Sequence, residues 1–259
     1  MGGSIREKGA DAGVPSRPLN PPAPMPTPPQ PVLILGGFLI TAEAYAPMVD
    51  TLARLTGQPV RLIPVSRLEW GLTVFPFAWA RILDRVTTTA AALALDSPTG
   101  RITLVGHSSG GIMLRLFLSD LPFQGRVFGG RRLADRLICL GSPHTARKAT
   151  PLRALVDRDL PGAFHSDQVR YVSVAGAVNL DAAAGDASDT ARRLAPTAYR
   201  NSTGNPDDQG DGLVPVTGAL LAGSRPIVLE GVAHGGAFGP RWYGSPEVVE
   251  TWWEAARSA

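Results

Sequence analysis

Ser108 stands at the centre of Gly106-His107-Ser108-Ser109-Gly110, between the apolar runs "ITLV" and "IMLRLFL". This is G-x-S-x-G in a strand-then-helix context. Glycines at both ends let neighbouring backbone approach, so the serine can be held on a sharp turn with its hydroxyl free above the sheet. A hydroxyl is a weak nucleophile at neutral pH and needs a base. The chain has four histidines, His107, His144, His165 and His234. His107 lies inside the motif, and His165 reads as a surface residue. His234, in "VLEGVAHGGAFG", follows the last expected strand, where a parallel sheet presents its ligands, and is the candidate base. His144, in "GSPHTA", also follows a strand but comes too early for the chain order Ser…Asp…His, and reads as a residue shaping the neighbouring loop. The base needs an orienting carboxylate. "NPDDQGDGLVPV" offers Asp207, Asp208 and Asp211. Asp211, directly before Gly212 and an apolar run, is the candidate, and the other two read as solvated turn residues. The backbone N–H of Ser109, opening the helix, and that of Phe38, in "LGGFLI", are the candidate oxyanion donors. Together these residues would carry out acyl transfer through a serine nucleophile, with Gly106 and Gly110 as the glycines of the turn.

The elements that must position them alternate. "VLIL", "VRLIPV", "ITLVG", "RLICLG", "VRYVSVAG" and "PIVLEG" are short apolar runs read as strands. Between and after them lie helical patterns, including "AEAYAPMVDTLARL", "PFAWARILDRVTTTAAALAL", "GGIMLRLFLSD" and the closing "SPEVVETWWEAARSA". Strands alternating with helices, each strand apolar throughout, predict an α/β fold with a mostly parallel central sheet covered on both faces. Two stretches break the alternation, residues 143–166 and 176–212, and are expected to form a small cap or insertions beside the site. "LEWGLTVFPFAWARIL" brings Trp70, Phe75, Phe77 and Trp79 close together. They read as core residues packing inward where a loop meets a helix, although such a cluster also suits an acyl pocket or a peripheral membrane contact.

Composition narrows the classes. The 259 residues suit one domain, expected over residues 32–259. The net charge is +3, and only two of the 25 basic residues are lysines. No Lys/Arg block is interleaved with aromatics, so no nucleic-acid partner is expected. The lone cysteine, Cys139, lies in an apolar run and reads as a buried strand residue. No histidine pair or cysteine cluster has metal-ligand spacing, so no metal is expected. No dinucleotide fingerprint or phosphate loop is present, so no cofactor is expected either. Residues 1–31 are proline-rich and read as a disordered leader without an apolar signal core, which gives a cytoplasmic expectation. No run is long and apolar enough to span a bilayer.

On "VLILGGF", "LVGHSSGG", "CLGSPH", "GDGLVPV" and "AHGG", the chain resembles the α/β-hydrolase superfamily, and within it the lipase-like members, such as triacylglycerol lipases and the lipase-like hydrolases of cyanobacteria and plastids. The resemblance runs from residue 32 to the C-terminus. "GSPH" is similar to the Gly-Thr-Pro-His segment of such lipases, and "DGLVP" to their acid-bearing segment, which favours Asp211. Gly36-Gly37 departs from the His-Gly that many members carry. The resemblance implies an ester, thioester or lipid acyl substrate. An acyltransferase or perhydrolase on the same residues, a non-catalytic relative using the pocket for binding, and a scaffold docking through the leader are the competing classes.

Overall fold

Six apolar runs become one all-parallel sheet in the computed structural model, which describes residues 28–38 and 40–258. The leader expectation falls on residues 1–31, of which 1–27 lie outside the described residues. The strands are β1 (Val32–Leu35), β2 (Val60–Ile63), β3 (Ile102–His107), β4 (Ala134–Leu140), β5 (Arg170–Ala177) and β6 (Arg225–Glu230), in the order β2-β1-β3-β4-β5-β6. Between and after them come α1 (Ala46–Thr56), α2 (Arg67–Leu72), α3 (Pro76–Leu95), α4 (Ser109–Leu118), α5 (Pro151–Asp159), α6 (Asp189–Ser202), α7 (Val216–Ala219) and α8 (Pro246–Arg257).

The inner strands are buried at nearly every position, and mostly apolar, because successive side chains point to opposite faces and both faces are covered. Leu33 and Leu35 of β1 join a core with α3, α4 and Val156 of α5, while Val32 and Ile34 join one with Met48 and Leu52 of α1 and Trp252 of α8. β6 departs from the continuous pattern. It is an edge strand, and Val228 is 44% exposed there. The ends of the helices follow local rules. Pro opens α1, α3, α5 and α8, where its missing N–H removes no helical bond. Ser66 and Glu69 form a reciprocal capping box on α2.

The two long stretches are only partly irregular. Residues 143–166 carry α5 and residues 176–212 carry α6. The first turn of α5 and the end of α6 lie over the carboxyl end of the sheet, where Leu152 and Ser202 line a cavity that also reaches Ser108. The aromatic stretch splits. Trp70 and Trp79 are buried, but Phe75 and Phe77 are 51% and 45% exposed and stack on each other at 5.7 Å. The inward-packing expectation therefore fails for these two phenylalanines. They sit at the α2–α3 turn, beyond the reach of the core.

Cys139 is buried on β4, and burial pushes its thiol up to about 12. His107 and His144 are both fully buried. Burial holds both imidazoles well below the ordinary value of 6.5, and the positive charges of Arg115 and Arg153 add to the effect at His144.

Two predictions follow from this packing. A Cβ on Gly110 would lie 2.2 Å from the Leu35 carbonyl oxygen, so α4 crosses β1 too closely for any side chain. Gly110→Ala is expected to cost about 3 kcal/mol in urea unfolding, by analogy with overpacked cores. The second concerns pH. The unfolded chain takes up a proton at each of His107 and His144 as pH falls through their ordinary value, and the folded chain does not. The stability due to their burial is therefore complete above that value and is lost as pH falls toward the depressed folded-state values. Unfolding free energy is expected to drop by about 1.4 kcal/mol per pH unit for each histidine in that window. His144→Phe should flatten the slope, and an unchanged slope would refute the assignment.

Candidate active site

β3 ends at His107 and α4 begins at Ser109, which leaves Ser108 alone to reverse the chain. It does so at φ 52° and ψ −124°, a strained conformation for a residue with a side chain. The turn closes only because Gly106 has no Cβ, which would stand 2.4 Å from the Gly111 Cα. Strain of this kind lifts the Ser108 hydroxyl above the sheet.

The fold brings Ser108, His234 and Asp211 into one line. Ser108 Oγ lies 3.0 Å from His234 Nε2, and His234 Nδ1 lies 2.8 Å from Asp211 Oδ2. The three are 7%, 2% and 0% exposed. A carboxylate at Nδ1 fixes the proton there, so Nε2 accepts from the serine hydroxyl. Asp211 is held from several sides. Its Oδ1 accepts the N–H of Leu213 at 3.0 Å and of Val214 at 2.7 Å, and its Oδ2 accepts the Tyr243 hydroxyl at 2.9 Å. The His234 N–H donates to the Asp211 carbonyl at 2.8 Å, which ties the two loops together. Asp207 and Asp208 stay in their own turn, where Asp208 accepts from Thr203 and Asn205. His144 points elsewhere, with Nδ1 accepting from Arg115 at 3.3 Å. His165 is half-buried and packs edge-on against Phe164.

Around the serine, Phe38 and Ser109 line the same cavity. Ser109 is the first residue of α4, so its N–H has no helical partner. The Phe38 N–H has no hydrogen-bond partner among the described residues. The preceding amide is taken, since Gly37 N–H donates to the Tyr45 hydroxyl at 2.7 Å. Two amides thus remain available beside Ser108, one from each loop.

Three residues at the site escaped the sequence reading. The Tyr45 hydroxyl, having accepted from Gly37, donates to His107 Nδ1 at 2.7 Å. The other ring nitrogen of His107 then donates to the His234 carbonyl at 2.9 Å. A buried relay therefore joins the Gly37 loop to the backbone of His234. Tyr243 plays the matching part for Asp211, accepting Gly176 N–H at 2.6 Å while donating to the carboxylate. Burial and the adjacent carboxylate raise its phenol well above the ordinary value, which keeps it a donor. No local motif marks these residues, because their partners lie 62, 127 and 32 positions away.

The cavity in front of Ser108 has a volume of about 490 Å³ and is largely apolar, with Trp70, Trp79, Met113 and Val214 among its walls. That size suits a small organic ligand. Among the described residues, no group of three histidine, cysteine or acidic side chains is arranged to hold a metal ion. No helix among them is long and apolar enough to cross a membrane. The arrangement can move a proton from Ser108 to His234 as the serine oxygen adds to a carbonyl, with two N–H groups facing the oxygen that becomes charged.

No protein-family model and no curated protein sequence matches the chain. Solved structures do. The mature form of the lipase BlEst2 of Bacillus licheniformis is similar with a TM-score of 0.55 and 14% identity, covering 91% of this chain and 94% of that one. A gene product of Listeria innocua is similar with a TM-score of 0.51 and 14% identity, covering 86% and 92%. At such identity the likeness concerns the backbone, the parallel sheet with its covering helices. The chain has the α/β-hydrolase fold.

Proposed function

We propose that this chain is a serine hydrolase cleaving carboxylic esters with an apolar acyl part. The observation that carries the reading is the buried line Ser108–His234–Asp211 opening onto an apolar cavity beside two unengaged amides. The similarity to a solved lipase is consistent with it.

In this mechanism Ser108 Oγ adds to the ester carbonyl while His234 Nε2 takes its proton. The carbonyl oxygen, now negative, is held by the N–H groups of Phe38 and Ser109. His234 passes the proton to the departing alkoxide, leaving Ser108 acylated. A water molecule then gives a proton to His234 and its oxygen to the acyl carbon. Collapse of that adduct returns the proton to Ser108 and frees the acid. Asp211 keeps the imidazole in the productive tautomer throughout and stabilises its charged form.

Turnover of p-nitrophenyl esters from acetate to palmitate tests the reading. Ser108→Ala is expected to lower kcat by about a thousandfold or more at every chain length that wild type accepts. Equal rates in the two proteins would overturn it, and the optimum for wild type reports the acyl length. Tyr45 is a positioning residue on this reading. Tyr45→Phe should lower kcat by about tenfold with little change in KM, because it releases Gly37 and His107 without altering the cavity wall. A change confined to KM would instead place Tyr45 in substrate binding.

A further inference from the structure

Among the described residues, the cavity that holds Ser108 is lined by two cations and no carboxylate. Lys148 and Arg153 border it, and no Asp or Glu among the described residues does. Lys148 is the only lysine outside the first residues of the chain, where Lys8 is the other. Neither cation forms an ion pair among the described residues, although many of the arginines do. Asp157, one turn along α5 from Arg153, is engaged by Arg115 at 2.9 Å.

The Arg153 side chain and the Lys148 backbone are held in place. Arg153 is half-buried, its Nη2 donates to the Lys148 carbonyl at 3.3 Å, and its Nε is buried with no partner among the described residues. The Lys148 amide donates to the Asn201 carbonyl of α6 at 3.0 Å. The neighbouring Arg147 amide takes the Ser202 carbonyl at 2.8 Å, so these carbonyls at the C-terminal end of α6 are already engaged by backbone. The first turn of α5, with its positive end of the helix dipole, opens on the same cavity through Thr150, Pro151 and Leu152. Positive charge without an ion-pair partner among the described residues, beside apolar walls, favours an anion there, most of all at the half-buried Arg153.

We propose that the substrate of Ser108 carries an anionic group, carboxylate or phosphate, remote from the ester bond, and that Lys148 and Arg153 bind it. This rests on the ester-hydrolase reading and adds the charge of the substrate to it. The apolar wall of Trp70, Trp79 and Met113 holds the hydrocarbon between the two ends. The chain therefore discriminates among esters by what lies at the far end as well as by length.

The experiment compares matched esters with the full chain. p-Nitrophenyl octanoate against mono-p-nitrophenyl suberate tests a carboxylate at the end of the acyl chain. A monoacylglycerol against the corresponding lysophosphatidate tests a phosphate on the alcohol side. In at least one pair the anionic member is expected to have the higher kcat/KM by about tenfold, the scale of one charge-assisted hydrogen bond. The preference should shrink with added sodium chloride. In the Lys148→Met, Arg153→Met double variant the ratio within that pair should fall to near one. Lys148→Met alone, at an exposed side chain, should lower it in part and guards against misfolding of the double variant. Turnover of the neutral esters without preference in either pair would overturn the proposal while leaving the hydrolase reading intact. So would a preference that survives in a folded double variant. No turnover of any of the four esters would overturn both.

Discussion

One residue joins β3 to α4, and most of the architecture around the cavity answers to that joint. Ser108 can reverse the chain at positive φ only if the helix it starts is pressed against the strand it ends. That demands glycine where α4 meets β1 and where β3 meets α4. It also relies on a largely buried strand on either side of β3, so that the packing of the sheet offsets the strain. The strain leaves the hydroxyl with one free direction, toward the loops that follow the other strands.

Those loops meet because buried polar groups must be paired. An aspartate with no exposure is tolerable only when its oxygens are hydrogen-bonded, and Asp211 receives two amides, a phenol and an imidazole. Each donor comes with its own obligation. The Tyr243 oxygen is satisfied in turn by Gly176 at β5, and the imidazole's other nitrogen by Ser108 at the end of β3. On the far side, Tyr45 and His107 repeat the logic, linking the loop after β1 to the chain at His234. The result is a continuous polar circuit through four strand ends. Loosening any member leaves a buried donor or acceptor without a partner, so the geometry at Ser108 is maintained by the circuit as a whole.

Substrate recognition on the proposed function is assigned to different parts of the chain from the chemistry. The polar circuit sits on the sheet, while the cavity walls come largely from the stretch around α2 and α3 and from the segments carrying α5 and α6. A sheet edge fixed by backbone ladders gives precision. Helices laid over it can change shape and charge without disturbing that edge. The cation-bearing turn into α5 is an instance, since it reaches the cavity without touching Asp211 or His234.

The sequence by itself determined the fold class and the order of its elements. Continuous apolar runs separated by helical patterns admit few arrangements other than a parallel sheet with both faces covered. It also pointed to Ser108, because the requirement for glycine around a strained turn is local and shows as a motif. Asp211 and His234 were legible through their place after late strands and their order in the chain. Only tertiary structure decided which hydrogen bonds they make, that Phe75 and Phe77 face solvent, and that Tyr45, His107 and Tyr243 belong to the site. The physical reason is range. Turn strain and periodicity are set by residues a few positions apart, whereas a hydrogen bond across 127 residues leaves no trace in either partner's neighbourhood. The cavity's charge was equally invisible, because only the fold brings Lys148 and Arg153 to the cavity that Trp70 and Met113 also line.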